Sequence, residues 1–250
     1  MSSSKCNAIH PQRVPVDPLR DEDELTVIQQ EVIECRRCPR LVEWREGVAQ
    51  NPPLRFRGET YWARPVPSLG DVQARLFIIG LAPAAHGGNR TGRVFTGDRS
   101  GDWLFRALYK GGFANQPHSL HIGDGLELRD AYISATCHCA PPQNKLLPSE
   151  IANCREYMLR ELRAMPQLRI LLGLGKIGFD AAFDATRAIG LTALKSRPKF
   201  GHGAEVALND NLTLLGTYHP SQQNTFTGKL IEPMFDAVFT RARELLAHSL

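Results

Sequence analysis

Three stretches of this sequence gather residue types that can do chemistry. The first, GLAPAAHGGNRTGRVFTGD at residues 80–98, has five glycines among nineteen residues, yet carries His86, Asn89, Arg90, Arg93, Phe95 and a single carboxylate, Asp98. A plain connector needs none of those groups. The second, CHCAPPQNK at residues 137–145, leads from two cysteines around His138 to Asn144 through Pro141 and Pro142. The third, YHPSQQN at residues 218–224, sets His219 beside Ser221, Gln222, Gln223 and Asn224. A carboxylate, a carboxamide and an imidazole on separate loops are the parts that a binding or catalytic site draws together.

The cysteines are a second set. Cys35 and Cys38 form a C-x2-C pair, Cys137 and Cys139 flank His138, and fourteen residues separate Cys139 from Cys154. Cys6 stands alone in a proline-containing tail. The N-terminal MSSSK lacks an apolar signal core, so a cytoplasmic location is expected, and six cysteines there are unlike structural disulfides. A C-x2-C pair alone serves zinc, iron–sulfur clusters and redox catalysis alike. Two more cysteines a hundred residues later favour a four-thiolate site, with buried free thiols as the alternative.

Elements must position these loops. Residues 1–20 hold three prolines and little apolar periodicity, and read as a loosely ordered arm ahead of a single domain over residues 21–250. Short apolar runs at residues 76–82, 131–137, 170–174 and 212–218 have the length of buried strands. Helical patterns lie between them: residues 22–37, a segment capped by Asp98 or Ser100, one opened by Pro148, residues 176–188, and residues 231–247. Residues 52–67 read as an ordered loop. Residues 190–211 read as two extended pieces around a turn at residues 200–203. Strands alternating with helices predict an α/β layered fold with a largely parallel sheet. In such sheets ligands bind beyond the carboxyl ends of the strands. Three of the four predicted strands run directly into the loops quoted above.

Composition bounds the partners. The chain has 250 residues, 22% of them charged, and a net charge of +4, which admits a polyanion without demanding one. No run of 18 apolar residues occurs, so no membrane span is expected.

The three loops together resemble the signature segments of family-5 uracil-DNA glycosylases, the iron–sulfur branch of that superfamily. CPRL at residues 38–41 and FRGETYWARPVP at residues 56–67 are similar to the same family, so the resemblance runs over residues 25–247. It implies a three-layer α/β/α fold around a central four-stranded, largely parallel sheet, and a 4Fe-4S cluster held by Cys35, Cys38, Cys139 and Cys154, with Cys137 a buried small side chain or a competitor of Cys139. It implies excision of uracil, and of other deaminated bases such as hypoxanthine, from DNA by a monomer. Asp98 would activate water or steady the sugar cation, with helix capping as its plainer role. Asn144 would read the base, because a carboxamide both donates and accepts. His219 would donate to the uracil O2 as charge develops there. Phe95 would stack on the everted base. Gly80, Ala82, His86, Asn89, Ser221 and Asn224 would line the substrate, though His86 and Asn89 would equally serve to close the loop. Arg90 and Arg93 read as phosphate or surface groups. Leu81 stands where the sister iron–sulfur family has a glutamate, which throws more weight on Asp98. A zinc-containing DNA-recognition module, an electron carrier and a nucleotide-binding protein are the competing readings. The last lacks the G-x-x-x-x-G-K-[ST] loop.

Overall fold

A computed structural model describes residues 18–247, with the side chains of the first helix from Glu24 onward. The expected N-terminal arm lies outside the described residues up to residue 17, and helix α1 (Pro18–Glu34) already includes residues 18–20. Helix α2 (Pro39–Gln50) follows, then strand β1 (Leu69–Gly70), β2 (Leu76–Gly80), a single helical turn α3 (Gly88–Thr91) and α4 (Arg99–Lys110). Strand β3 (Ala131–Ala135), α5 (Pro148–Arg163), β4 (Ile170–Leu174) and α6 (Gly175–Ala188) come next. Strands β5 (Ala204–Asn209) and β6 (Leu212–Thr217), the short α7 (Gln222–Phe226) and α8 (Glu232–Ala247) close the chain.

The sheet runs in the order β1-β3-β2-β4-β6-β5. Its four central strands, β3, β2, β4 and β6, are mutually parallel, as expected from their short, mostly apolar runs. The four-strand expectation needs extending, because β1 and β5 add antiparallel edges. β1 has only two residues, too few to register as a pattern, while β5 alternates exposure along its length as an edge strand does.

Alternation of side chains builds two apolar layers. Leu76, Ile78, Ile133, Leu172 and Leu215 face α4 and α8, packing on Leu104, Leu108, Phe235 and Phe239. Phe77, Ile79, Tyr132, Leu171 and Leu214 face the other way, onto Leu25 and Ile28 of α1, Leu162 of α5 and Phe179 and Phe183 of α6. Buried Glu161 fastens α5 to this layer, accepting hydrogen bonds from Ser68 and Ser134 at 2.5 and 2.8 Å and from Tyr132 at 3.2 Å.

The first two helices differ from the sequence expectation. Residues 22–37 were expected to be one helix, but α1 stops at Glu34 and Cys35 to Cys38 form a linker into α2. Pro39 explains the break. It occupies the first turn of α2, where a missing N–H is harmless, and it bars the preceding residue from helical backbone. The C-x2-C pair therefore lies between two helices, not on one.

Candidate active site and thiol centre

The first loop grows out of β2. Hydrogen bonds from Thr136 N to Gly80 O (2.9 Å) and from Cys137 N to Leu81 O (3.0 Å) continue the pairing beyond the strands, so the loops after β2 and β3 leave the sheet side by side. Asp98 is the N-cap of α4, its Oδ1 accepting from Gly101 N at 3.1 Å. Its other oxygen lies against Gly87, where a Cβ would stand only 2.2 Å from Oδ2. Burial pushes the Asp98 carboxyl above the usual range, against smaller lowering by backbone N–H groups and Arg90. Phe95 sits across the strand end, and a Cβ on Gly80 would come within 2.7 Å of its ring. Those two glycines are close-approach positions.

The third loop arrives from β6. The rings of Phe95 and His219 have centroids 6.0 Å apart at an interplanar angle of 31°. A Cβ on Gly175, at the end of β4, would lie 3.2 Å from the His219 Cβ. Asn224 donates its amide to the His219 carbonyl at 2.8 Å, and Ser221 caps α7. Burial alone pushes the His219 imidazole down to about 4, so it is neutral near pH 7.

Asn144 lies on the loop that follows β3. It is exposed, at the end of a 3-10 turn over Pro142–Asn144. Gln143 and Asn144 both take left-handed backbone, with φ of 54° and 56°, and Phe95 does so at 51°. Left-handed non-glycine residues are uncommon and cluster where surrounding structure enforces them for function. Three of the five such residues in the described chain belong to these loops. The clamp on the Asn144 turn comes from the CPRL segment. Arg40 donates to both Glu150 oxygens at 2.8 and 2.7 Å and to the Lys145 carbonyl at 3.0 Å. Sequence reasoning gave Arg40 no role; its distance of 110 residues from Glu150 hid the pair.

Several expected contacts turn out to be internal. Asn89 is 1% exposed and donates to the carbonyls of Arg45 (3.2 Å) and Ala85 (3.4 Å), so its amide closes the loop against α2, the second of the two roles its sequence context offered. Arg93 is not a phosphate group: 7% exposed, it forms a two-pronged ion pair with Asp124 at 2.9 and 2.6 Å and donates to Ser119 at 2.8 Å. Arg90 pairs with Glu59 at 2.6 Å and covers the Phe56 ring. His86 bonds Tyr61 OH at 3.0 Å, and Ala82 is half-buried against the cluster of Leu41, Cys137 and Cys139.

Cys35, Cys38, Cys139 and Cys154 line one cavity together with Cys137, Arg45 and His138. Among the described residues no three side chains converge on a single metal ion; the thiols form the wall of the cavity. All four sulfurs already face donors, Cys35 those of Arg37 and Tyr157. Arg45 Nη1 lies 3.0 Å from Cys139 Sγ, His138 N 3.4 Å from Cys154 Sγ, and Asn153 Nδ2 3.5 Å from Cys38 Sγ. Two further buried atoms of the wall, Arg45 Nε and His138 Nε2, have no hydrogen-bond partner. Sulfurs ringed by donors, beside a buried cation, suit an anionic group held by thiolates, so the residues fit an iron–sulfur cluster.

Residues 67–246 match the family described as the uracil DNA glycosylase superfamily. The chain belongs to that superfamily, in its type-5 branch. It is 46% identical over 212 residues to the type-5 uracil-DNA glycosylase of Mycobacterium bovis, covering 84% of this chain and 78% of that one. It is 46% identical over 211 residues to the type-5 enzyme of Thermus thermophilus, with 84% and 93% covered. The type-5 enzyme of Pyrobaculum aerophilum is 41% identical over 211 residues, with 84% and 88% covered. This membership agrees with the α/β/α layers and with the resemblance carried by the three loops.

Proposed function

We infer that the protein is a DNA base-excision glycosylase that hydrolyses the N-glycosidic bond of uracil, and of hypoxanthine, after the nucleotide is turned out of the duplex. The observation that carries this reading is the meeting of Phe95 and His219 over the ends of β2, β4 and β6, with Asp98 in the same glycine loop. Cleavage of such a bond gathers positive charge on the sugar and negative charge on the departing base. Phe95 offers a flat face for an everted ring. A neutral His219 suits a hydrogen-bond donor to a base carbonyl as that oxygen becomes anionic, and keeping it neutral costs nothing at pH 7. Asp98, as carboxylate, orients water toward the sugar carbon or offsets its charge. Asn144, fixed by Arg40 and the two prolines, approaches the base edge from the loop after β3 and distinguishes carbonyl from amine.

Cys35, Cys38, Cys139 and Cys154 would hold a 4Fe-4S cluster. When bound, such a cluster supplies a rigid cross-link between four thiolates, and hydrolysis moves no electrons through it. The protein's part is to bring the α1–α2 linker, the loop after β3 and α5 to one point, five residues from Asn144.

The test uses labelled duplexes with one uracil or one hypoxanthine, incubated with protein and then cleaved at abasic sites by alkali. Strand breaks that vanish in Asp98→Ala and His219→Ala variants support the assignment. Intact strands from brown, iron-loaded wild type reject it, and colourless zinc-containing protein favours a DNA-recognition module.

A further inference from the structure

We propose that Arg45 is the internal counter-charge of the iron–sulfur centre, setting its reduction potential and coupling it mechanically to the glycine loop. This rests on the cluster reading above. Arg45 lies on α2, is 1% exposed, and ranks first among the largest fully buried side chains. Its Nη1 points at Cys139 Sγ from 3.0 Å, and both Nη atoms lie 3.4 Å from the Cys35 carbonyl. Its Nε–H has no acceptor. The carboxylate it approaches is that of Glu46, at 3.9 Å, and the same oxygen already takes Arg36 at 2.5 Å.

A guanidinium so buried is strongly disfavoured unless an anion answers it. Four neutral thiols would not. A cubane held by four thiolates carries net negative charge, and one more on reduction, so it answers the cation and is itself stabilised. The effect is larger for the reduced form, because that form holds more charge, and a donor on a ligand sulfur acts in the same direction. Arg45 therefore raises the potential and keeps the cluster from being lost.

The same residue reaches the substrate loop through its backbone. Its carbonyl accepts from Asn89 Nδ2 at 3.2 Å, and Asn89 belongs to α3, between Gly80 and Asp98. Arg45 thus touches a cluster ligand with its side chain and the glycine loop with its main chain. It is a positioning residue.

The test compares wild type, Arg45→Met and Arg45→Lys as purified full-length proteins. Iron and acid-labile sulfide are measured first, then the cluster potential by film voltammetry and the rate of bleaching in air. Arg45→Met keeps the length of the side chain and removes its charge; a more negative potential and faster bleaching are expected. Arg45→Lys returns the charge and is expected to bring the potential back toward wild type. A loaded Arg45→Met protein at the wild-type potential overturns the proposal. If Arg45→Met holds no cluster, retention by Arg45→Lys supports the counter-charge, and loss in both variants overturns it in favour of a purely steric role. Wild type without iron and sulfide fails the cluster reading itself, and is told apart from the other outcomes by that first measurement.

Discussion

Asp98 has two tasks, and they can be separated by substitution. As N-cap it satisfies Gly101 N, a role asparagine fills as well as aspartate. As a carboxylate it supplies charge, which asparagine lacks. Asp98→Asn is therefore expected to melt within a degree or two of wild type while losing about 100- to 10,000-fold in kcat/KM. Asp98→Ala is expected to lose the same activity and also about 1 kcal/mol of stability; calorimetry beside the alkali-cleavage assay reads both. Burial raises the Asp98 acid, so the active carboxylate is lost on acidification at a higher pH than an ordinary aspartate would allow. The acid limb of the kcat/KM profile should lie above the usual carboxylate range. His219 moves the other way. With its imidazole pushed down to about 4, it stays neutral from pH 5 upward and contributes no limb between pH 5 and 8. His219→Ala should cost about 100- to 1,000-fold in kcat, the usual effect of one donor to a developing anion. An activity limb near pH 6.5 that disappears in this variant would refute the neutral donor.

Loops are aimed by the elements and clamps behind them. Asn144 ends a single 3-10 turn; Arg40, from the first turn of α2, holds that turn through Glu150 and Lys145. Arg40→Ala should leave the sheet and both apolar layers intact, yet lower kcat/KM on uracil duplexes by up to about 100-fold, the effect of misplacing a contact group by an ångström or so. Full activity in that variant would show that the turn holds its shape unaided. The same dependence on distant partners explains what the sequence disclosed. The four parallel strands were legible because each is a short, mostly apolar run, and α4 because Asp98 begins an amphipathic run with Trp103, Leu104, Ala107 and Leu108. The loops following those strands were legible as a site because polar groups stood where a parallel sheet binds ligands. α2 was missed, since Pro39 and its mixed surface mask a helix that buries Leu41, Val42, Arg45 and Val48. Arg93 was misread, and the loop-closing role of Asn89 stood undecided beside a substrate role, because nothing local announces Asp124, thirty-one residues on, or the Arg45 carbonyl, forty-four residues back.

For the molecule as a whole, the cavity of thiols ties α2 to parts that one apolar layer already joins. Cys35 and Cys38 sit between α1 and α2, Cys139 follows β3, and Cys154 is on α5. α5 is anchored to β3 through Glu161 and to α1 through Arg160, which pairs with Glu24 at 2.8 Å and with Glu31. α2 meets the rest of the protein through Arg40, the Asn89 amide, Leu41 packed against Cys137 and Cys139, and this cavity. A cross-link closing so long a stretch of chain resembles a disulfide in effect, about 2–5 kcal/mol. In a domain of this size that is about 4–20 °C in melting temperature. Cys139→Ser should lose the cluster, melt lower by that amount, and lose glycosylase activity as the Asn144 turn loosens. Cys137 lines the same cavity, yet it lies deeper beside the strand end. Cys137→Ser should therefore keep wild-type iron and sulfide and most of the activity. Should Cys137→Ser be the colourless variant and Cys139→Ser the brown one, the third ligand moves two residues upstream, and Arg45 would then hydrogen-bond a thiol outside the cluster.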